Sequence, residues 1–470
     1  MAVPHYGGQA DDVDAAAKDW SGALGRDLQD QGRGKKNSDH YKALSDTCAL
    51  GTSHVWLAPA LYIGTVTKIA SAQALPTAHR VNAFSYAIRN IVAEAQRVEA
   101  AGTRVRYLNV GDPNAFGFKT PPHLITAVER AMRDGHNGYG PSPGIPAARE
   151  AVAAELTSHG FPVTADRALI TAGTSEAIDL VLSALVDGGG EVLVPLPTYP
   201  LYTAVLAKID ARAKFYRTDP SRGWQPDLDH LKSLVTPATR ALVVIDPNNP
   251  TGATYPTSTR RELLEFAERH NLVLLADEVY GDLGYDGAVD PIGKLDPDAA
   301  IISFSSLSKA YLAPGWGTGW MGVGRTPRLD NALAAIKKMA DGRLCSTVPM
   351  QFAVAEALLG DRSHQPIFRA ELRKRAEITT SSLNAIPGMS CVAPIAGFYV
   401  MPQLTLPPGR TDEDYVLGLL RATGVLCVYG SGFGMPKEGG FFRIVFLASP
   451  DELAEIYGSM AEYTAQFLRK

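Results

Sequence analysis

The sequence predicts an α/β protein, with a large domain built on a mostly parallel sheet sandwiched by helices and a smaller α+β domain beside it. Three observations lead there. The runs "RALITAG", "EVLVP", "RALVVIDPNN" and "LVLLADEVY" are short and continuously apolar, as strands buried on both faces are. Helical stretches such as "TSEAIDLVLSALV" and "STRRELLEFAERH" separate them, as crossovers between parallel strands require. The last 120 or so residues change pattern, with long helices around the runs "GFYVMPQL" and "FFRIVFLAS".

Taken in order, residues 1–78 form an N-terminal extension that includes "GRDLQDQGRGKKNSDH" and reads as flexible. Its apolar stretch "VWLAPALYIGTV" (55–66) is interrupted by a proline and a glycine and is too short for a membrane span. Residues 79–118, with the helical "AFSYAIRNIVAEAQRVEAAG", read as the N-terminal part of the small domain. Residues 119–346 read as the large domain. It opens on the helix "PPHLITAVERAMRDG", with Leu124, Ile125, Val128 and Met132 on one stripe and Pro121 suited to the first turn. "AIISFSS" and "WMGVG" read as two further strands of its sheet. Residues 347–470 read as the C-terminal small domain, ending in a helix from about Asp451.

The bulk numbers exclude several classes. Lys+Arg is 45 and Asp+Glu is 49 in 470 residues, so a net charge of −4 gives no field for nucleic acid or an anionic membrane. The four cysteines, Cys48, Cys345, Cys391 and Cys427, are far apart, with no C-x-x-C and no metal-ligand spacing. That usage fits a reducing, cytoplasmic setting and no metal site. The first thirty residues carry charges of both signs and no apolar core of a secretory signal.

Ligands of such sheets bind beyond the carboxyl ends of the strands. Four groups of polar residues fall there: Gly173, Thr174 and Ser175 in "TAGTSEA"; Asn249 in "DPNNPTG"; Asp277 and Tyr280 in "LADEVY"; and Ser306, Ser308 and Lys309 in "SSLSK". Taken singly each is ordinary: a helix cap, a turn, a strand-end aspartate, a solvated lysine. Together they describe one ligand. Helix N-terminal N–H groups and the hydroxyls of Thr174, Ser175, Ser306 and Ser308 suit a phosphate. A buried Asp277 suits a protonated ring nitrogen. Asn249 and Tyr280 suit a ring oxygen, and Tyr199 in "PTYPLY" offers a flat face for stacking. A desolvated Lys309 is a nucleophile toward an aldehyde. Phosphate, ring nitrogen, ring oxygen and aldehyde point to pyridoxal 5'-phosphate.

At these residues the chain resembles the class I/II aminotransferases, pyridoxal-phosphate enzymes of fold type I, and among them the bacterial alanine (glutamate–pyruvate) transaminases. The landmarks are "YLNVGDPNAFGF", "NGYGPSPGIPAAR", "PTYPLYTAV", "PNNPTGATY", "ADEVY", "LSKAYLAPGW", "GRLCSTVPMQ" and "FFRIVFLAS", over roughly residues 80–468. The resemblance implies an aminotransferase that moves an amino group between an alanine- or glutamate-like amino acid and a 2-oxo acid. It makes Lys309 the Schiff-base and proton-shuttling residue and Asp277 the partner of the pyridine nitrogen. Asn249 and Tyr280 then contact the ring oxygen, Tyr199 stacks, and Gly173, Thr174, Ser175, Ser306 and Ser308 take the phosphate. It implies a homodimer with shared sites, in which Tyr139 reaches the phosphate of the other subunit's cofactor. Arg443 would clamp the substrate α-carboxylate, helped by the Gly111 backbone, and Arg89 would meet a side-chain carboxylate.

One position departs from the pattern. The family's lysine segment usually carries an arginine eight residues after the lysine, paired with the cofactor phosphate; here it is Gly317. Losing such a charge-assisted pair removes roughly 1.5–3 kcal/mol of cofactor binding. The loss admits three readings: compensation by hydroxyls and another cation, room for part of a large substrate, or lost activity. The second leaves elimination, replacement or carbon–carbon bond formation on an amino acid as the alternative to transamination.

Overall fold

In a computed structural model of the protein, residues 75–83 and 91–469 are described. The apolar stretch 55–66, Cys48 and almost all of the extension lie outside the described residues, as does Arg89. The strands, in chain order, are β1 (Arg106–Tyr107), β2 (Ala168–Thr171), β3 (Glu191–Leu196), β4 (Arg212–Asp219), β5 (Gln225–Pro226), β6 (Thr239–Ile245), β7 (Val273–Asp277), β8 (Ile301–Ser306) and β9 (Gly319–Val323). Six short ones follow: β10 (Met389–Ser390), β11 (Tyr399–Val400), β12 (Gln403–Leu404), β13 (Val425–Leu426), β14 (Val428–Tyr429) and β15 (Phe442–Val445).

Eight of these make one sheet in the order β2-β9-β8-β7-β6-β3-β4-β5. The run β8-β7-β6-β3-β4 is parallel, and β9 lies antiparallel between β2 and β8. The apolar runs are continuous because both faces are covered. Alternate residues point to opposite sides, so Leu242, Val244 and Leu274 enter one core while Ala241, Val243 and Leu275 enter the other. Helix Gly173–Leu185 packs on β8 and β9 through Ala177, Ile178 and Val181.

The topology sets the rim. β2, β3, β6, β7 and β8 all end on one edge of the sheet, and β9, running the other way, begins there. Asp277 pairs with Ile245, and Gly319 pairs with both Thr171 and Ser306. A Cβ at Gly319 would lie 2.6 Å from the carbonyl carbon of Gly173 and from the amide nitrogen of Thr174. Only glycine lets the N-terminus of helix Gly173–Leu185 approach the strand so closely.

The C-terminal region carries the antiparallel set β11-β15-β14 and the mutually packed helices His364–Asn384 and Pro450–Phe467. The chain preceding the large sheet joins it. β1 pairs in parallel with β13, and helix Val92–Ala100 packs on helix Asp412–Thr423 with Arg421 bonded to Glu94 at 2.7 Å. Helix Val348–Leu359 packs on helices Pro122–Arg133 and Pro146–Ser158.

Some local expectations are corrected. In helix Pro122–Arg133 the buried residues are Leu124, Ala127, Val128 and Ala131, while Ile125 and Met132 are exposed. Small alanines let the helix sit close, and that rotates the stripe away from the bulkier side chains. "GFYVMPQL" holds two short strands, separated at Pro402, which has no N–H to continue a ladder. No helix among the described residues is long and apolar enough to cross a membrane.

The two glycines of "GWGTGW" should respond differently to a methyl group. Gly319→Ala, forced against backbone, should cost about 1–3 kcal/mol. Gly317→Ala, with φ +54° and nothing within 4 Å of a new Cβ, should cost only about 1 kcal/mol of left-handed backbone strain. Thermal melts of the two variants check the order.

Candidate active site

The rim loops close around a cavity of about 340 Å³, a volume that suits a small ligand. Its walls include Gly111, Gly173, Thr174, Ser175, Tyr199, Asn249, Asp277, Tyr280, Ser306, Ser308, Lys309, Gly317 and Arg443. Of the fourteen candidate positions named from the sequence, twelve therefore meet at one place. Tyr139 does not: it is 87% exposed and lines no part of this cavity. Arg89 lies outside the described residues.

Asp277 ends β7 and is buried. Its Oδ2 accepts a hydrogen bond from the Tyr202 hydroxyl at 3.0 Å, while Oδ1 has no hydrogen-bond partner. Burial pushes its pKa up to about 6, an effect that the Tyr202 hydroxyl and the Val279 amide only partly offset. A buried carboxylate oxygen without a donor, facing a cavity, is the feature that a cationic ring N–H completes. Tyr202 was not singled out from the sequence. Its signal was its place three residues after Tyr199 on helix Pro200–Lys208, one turn along the same face.

Lys309 follows β8. Its Nζ donates to the Gly111 carbonyl at 2.8 Å and lies 5.7 Å from the centre of the Phe398 ring. The turn that carries it is anchored beyond the lysine. The Leu312 carbonyl accepts from Asn114 Nδ2 at 3.0 Å and from Thr120 Oγ1 at 2.5 Å, and the Ala310 carbonyl meets His364 Nε2 at 2.9 Å.

The N-terminus of helix Gly173–Leu185 forms one wall of the cavity. Thr174 Oγ1 donates to the Ser305 carbonyl at 3.2 Å, and Ser306 Oγ accepts from the Ser308 amide at 3.3 Å. Among the described residues, the only cations lining the cavity are Lys309 and Arg443.

Arg443 lies on β15 and is 1% exposed. It donates to Asn249 Oδ1 at 3.0 Å and to the Asn109 carbonyl, and it stacks 4.7 Å from the Tyr399 and Phe433 rings. The Tyr280 hydroxyl donates to the Tyr399 hydroxyl at 3.0 Å, and burial raises the Tyr280 pKa well above its usual value. Tyr399 also lines the cavity and was not picked out from the sequence. No group of three or more metal-ligating side chains occurs among the described residues.

The family model "Aminotransferase class I and II" matches residues 104–458, and the chain belongs to that family. A glutamate-pyruvate aminotransferase of Haemophilus influenzae is 35% identical over 400 residues, covering 83% of this chain and 98% of that one. An alanine aminotransferase of Mycobacterium bovis is 36% identical over 392 residues, covering 81% of this chain and 91% of that one. The solved alanine aminotransferase of Pyrococcus furiosus superposes with a TM-score of 0.81 at 36% identity, over 83% of this chain and all of that one. The protein is thus a pyridoxal-phosphate-dependent aminotransferase of fold type I.

The Asp277 environment makes a pH-dependent prediction. Unfolded, this carboxyl ionises near 3.8; folded, it keeps its proton to about 6. Between those values the folded state binds more protons, so stability falls as pH rises, by about 3 kcal/mol in all, and stays level above. Asp277→Asn in cofactor-free protein should therefore raise the melting temperature at pH 7–8 and change it little at pH 4. Added pyridoxal phosphate should reverse the order at pH 7–8, stabilising the parent protein more than the variant. Melts across that pH range, with and without cofactor, measure both.

Proposed function

We propose that this aminotransferase exchanges the amino group of alanine and glutamate with the corresponding 2-oxo acids. The observation that carries the site assignment is the partnerless Asp277 Oδ1 in the same cavity as Lys309 and Arg443. The names of the relatives support the substrate class.

Arg443 is placed to take the substrate α-carboxylate through two parallel N–H donors. Asn249 and the Asn109 carbonyl already aim its guanidinium. Lys309 meets the Gly111 carbonyl, two residues along from the Asn109 carbonyl that Arg443 meets. The segment 109–111 thus registers the amine against the carboxylate clamp. With the carboxylate fixed, Lys309 moves the proton on the substrate Cα. Asp277 holds the proton of the cofactor ring nitrogen, with Tyr202 fixing its other oxygen. Tyr280 and Asn249 address the ring oxygen, and Tyr199 takes the ring face. The Gly173 backbone and the hydroxyls of Thr174, Ser175, Ser306 and Ser308 take the phosphate. Bound there, pyridoxal phosphate supplies the electron sink for the charge left at Cα.

We assign Arg89, in "SYAIRN", to the distal carboxylate of glutamate on the resemblance of that segment to the family. We take the working form to be a cytoplasmic homodimer in which the exposed Tyr139 reaches the phosphate end of the other subunit's site. We place the small domain at residues 79–118 and 347–470, around a large domain at 119–346.

Alanine with 2-oxoglutarate should yield pyruvate and glutamate in equal amounts. Lys309→Ala should remove turnover and also the cofactor adduct left by borohydride reduction; an adduct persisting in that variant would sink the assignment. Arg443→Lys should raise KM for alanine about 10- to 100-fold by losing the two-pronged contact.

Gly317→Arg should tighten pyridoxal-phosphate binding by about tenfold or more in equilibrium titration. Lost turnover with cofactor still bound would instead make the open space functional. That result favours elimination, replacement or carbon–carbon chemistry over transamination.

A further inference from the structure

We propose that Tyr399 is a positioning residue that sets the Tyr280 hydroxyl by hydrogen bonding and the Arg443 guanidinium by stacking. The proposal rests on the pyridoxal-phosphate reading of the cavity.

Tyr399 is 3% exposed and sits on β11, which pairs antiparallel with β15, the strand that carries Arg443. Two strand-borne side chains in one ladder hold a fixed relation. The guanidinium carbon of Arg443 lies 4.7 Å from the centre of the Tyr399 ring, within range of a cation–π contact. The hydroxyl end reaches a different group. It accepts the Tyr280 hydrogen bond at 3.0 Å, with the two rings edge to face at 84°. A Cβ at position 111 would come 2.0 Å from this same oxygen, so Gly111 is the residue that lets the hydroxyl sit there. The Gly111 carbonyl is in turn the acceptor for Lys309.

The proton count gives the pair its function. A phenol has one hydrogen to donate and lone pairs to accept with. Here Tyr280 spends its hydrogen on Tyr399. For Tyr280 to donate to an anionic ring oxygen, Tyr399 must turn its own hydrogen toward the Tyr280 oxygen. Tyr280 then accepts as it donates, and a donor that is also accepting is a stronger one. A bound pyridoxal phosphate would present a ring oxygen to Tyr280, and a stronger donor there would lower that oxygen's hold on a proton. Tyr399 thus tunes the pH at which that proton is lost, without touching the ring.

Tyr399→Phe keeps the ring over Arg443 and removes only the hydroxyl. In holoenzyme, the pH midpoint of the cofactor's visible band should rise by about half a unit to one unit. KM for alanine should stay within about twofold while kcat falls, because the stacked ring is retained. In a Tyr280→Phe background, adding Tyr399→Phe should move the midpoint no further, since the hydroxyl acts only through Tyr280. An unmoved midpoint in the single variant overturns the proposal, and so does a full additional shift in the double variant. A tenfold rise in KM with an unmoved midpoint would make the hydroxyl a packing group and also overturns it. Failure of the parent protein to develop a visible band with pyridoxal phosphate is a separate outcome, against the cofactor reading itself.

Discussion

A carboxylate buried at the end of the central strand, with one oxygen held and the other not, is the constraint around which this molecule is arranged. Among the described residues Asp277 has no cation beside it, only the Tyr202 hydroxyl on Oδ2 and the Val279 amide. Burial of that kind works against folding at neutral pH, and the chain tolerates it because a large two-faced sheet surrounds it. In the proposed site a ring N–H cation would supply both the missing donor and the missing charge, so cofactor binding and folding would be linked. The parallel topology follows from the same requirement. Strands β2, β3, β6, β7 and β8 must end together to bring a helix N-terminus, an aromatic face, an amide, a carboxylate and a lysine to one rim.

Much of this was legible in the sequence, for a physical reason. Strands covered on both faces are continuous apolar runs, and the chemistry sits directly after them, so "LADEVY" and "SSLSK" mark their own places. What was not legible depends on partners remote in sequence. Tyr202 meets Asp277 across 75 residues and Tyr280 meets Tyr399 across 119, and no local pattern records either. The strand Arg212–Asp219 escaped because it is mostly half-buried and reads "RAKFYRTD", with charges among its apolar positions. The stripe of helix Pro122–Arg133 was misplaced because alanine, not bulk, decides how closely a helix can pack.

The two glycines of "GWGTGW" look alike in sequence and differ in cause. Gly319 is required by close approach, since backbone at the N-terminus of helix Gly173–Leu185 occupies the space of a side chain. Gly317 is in left-handed backbone at φ +54°, with open space where a Cβ would go. Nothing packed against it demands glycine. Left-handed backbone favours glycine there by about 1 kcal/mol, and the missing side chain leaves open space at the cavity wall.

The electrostatics of the cavity carry this one step further. Both cations lining it among the described residues are committed in the proposed reaction, Lys309 to proton movement and Arg443 to the substrate carboxylate. In the proposed site the phosphate would rest on backbone N–H groups, hydroxyls and the partial positive charge of one helix end. Such donors are weaker than a guanidinium, and they cannot follow the anion if it shifts. Their strength lies in being fixed beforehand. The helix N-terminus that carries them lies close against β9, where a Cβ at Gly319 would come 2.6 Å from the backbone of Gly173 and Thr174. In the proposed site anion binding would thus depend on sheet packing, and a change that loosens β9 should weaken cofactor binding.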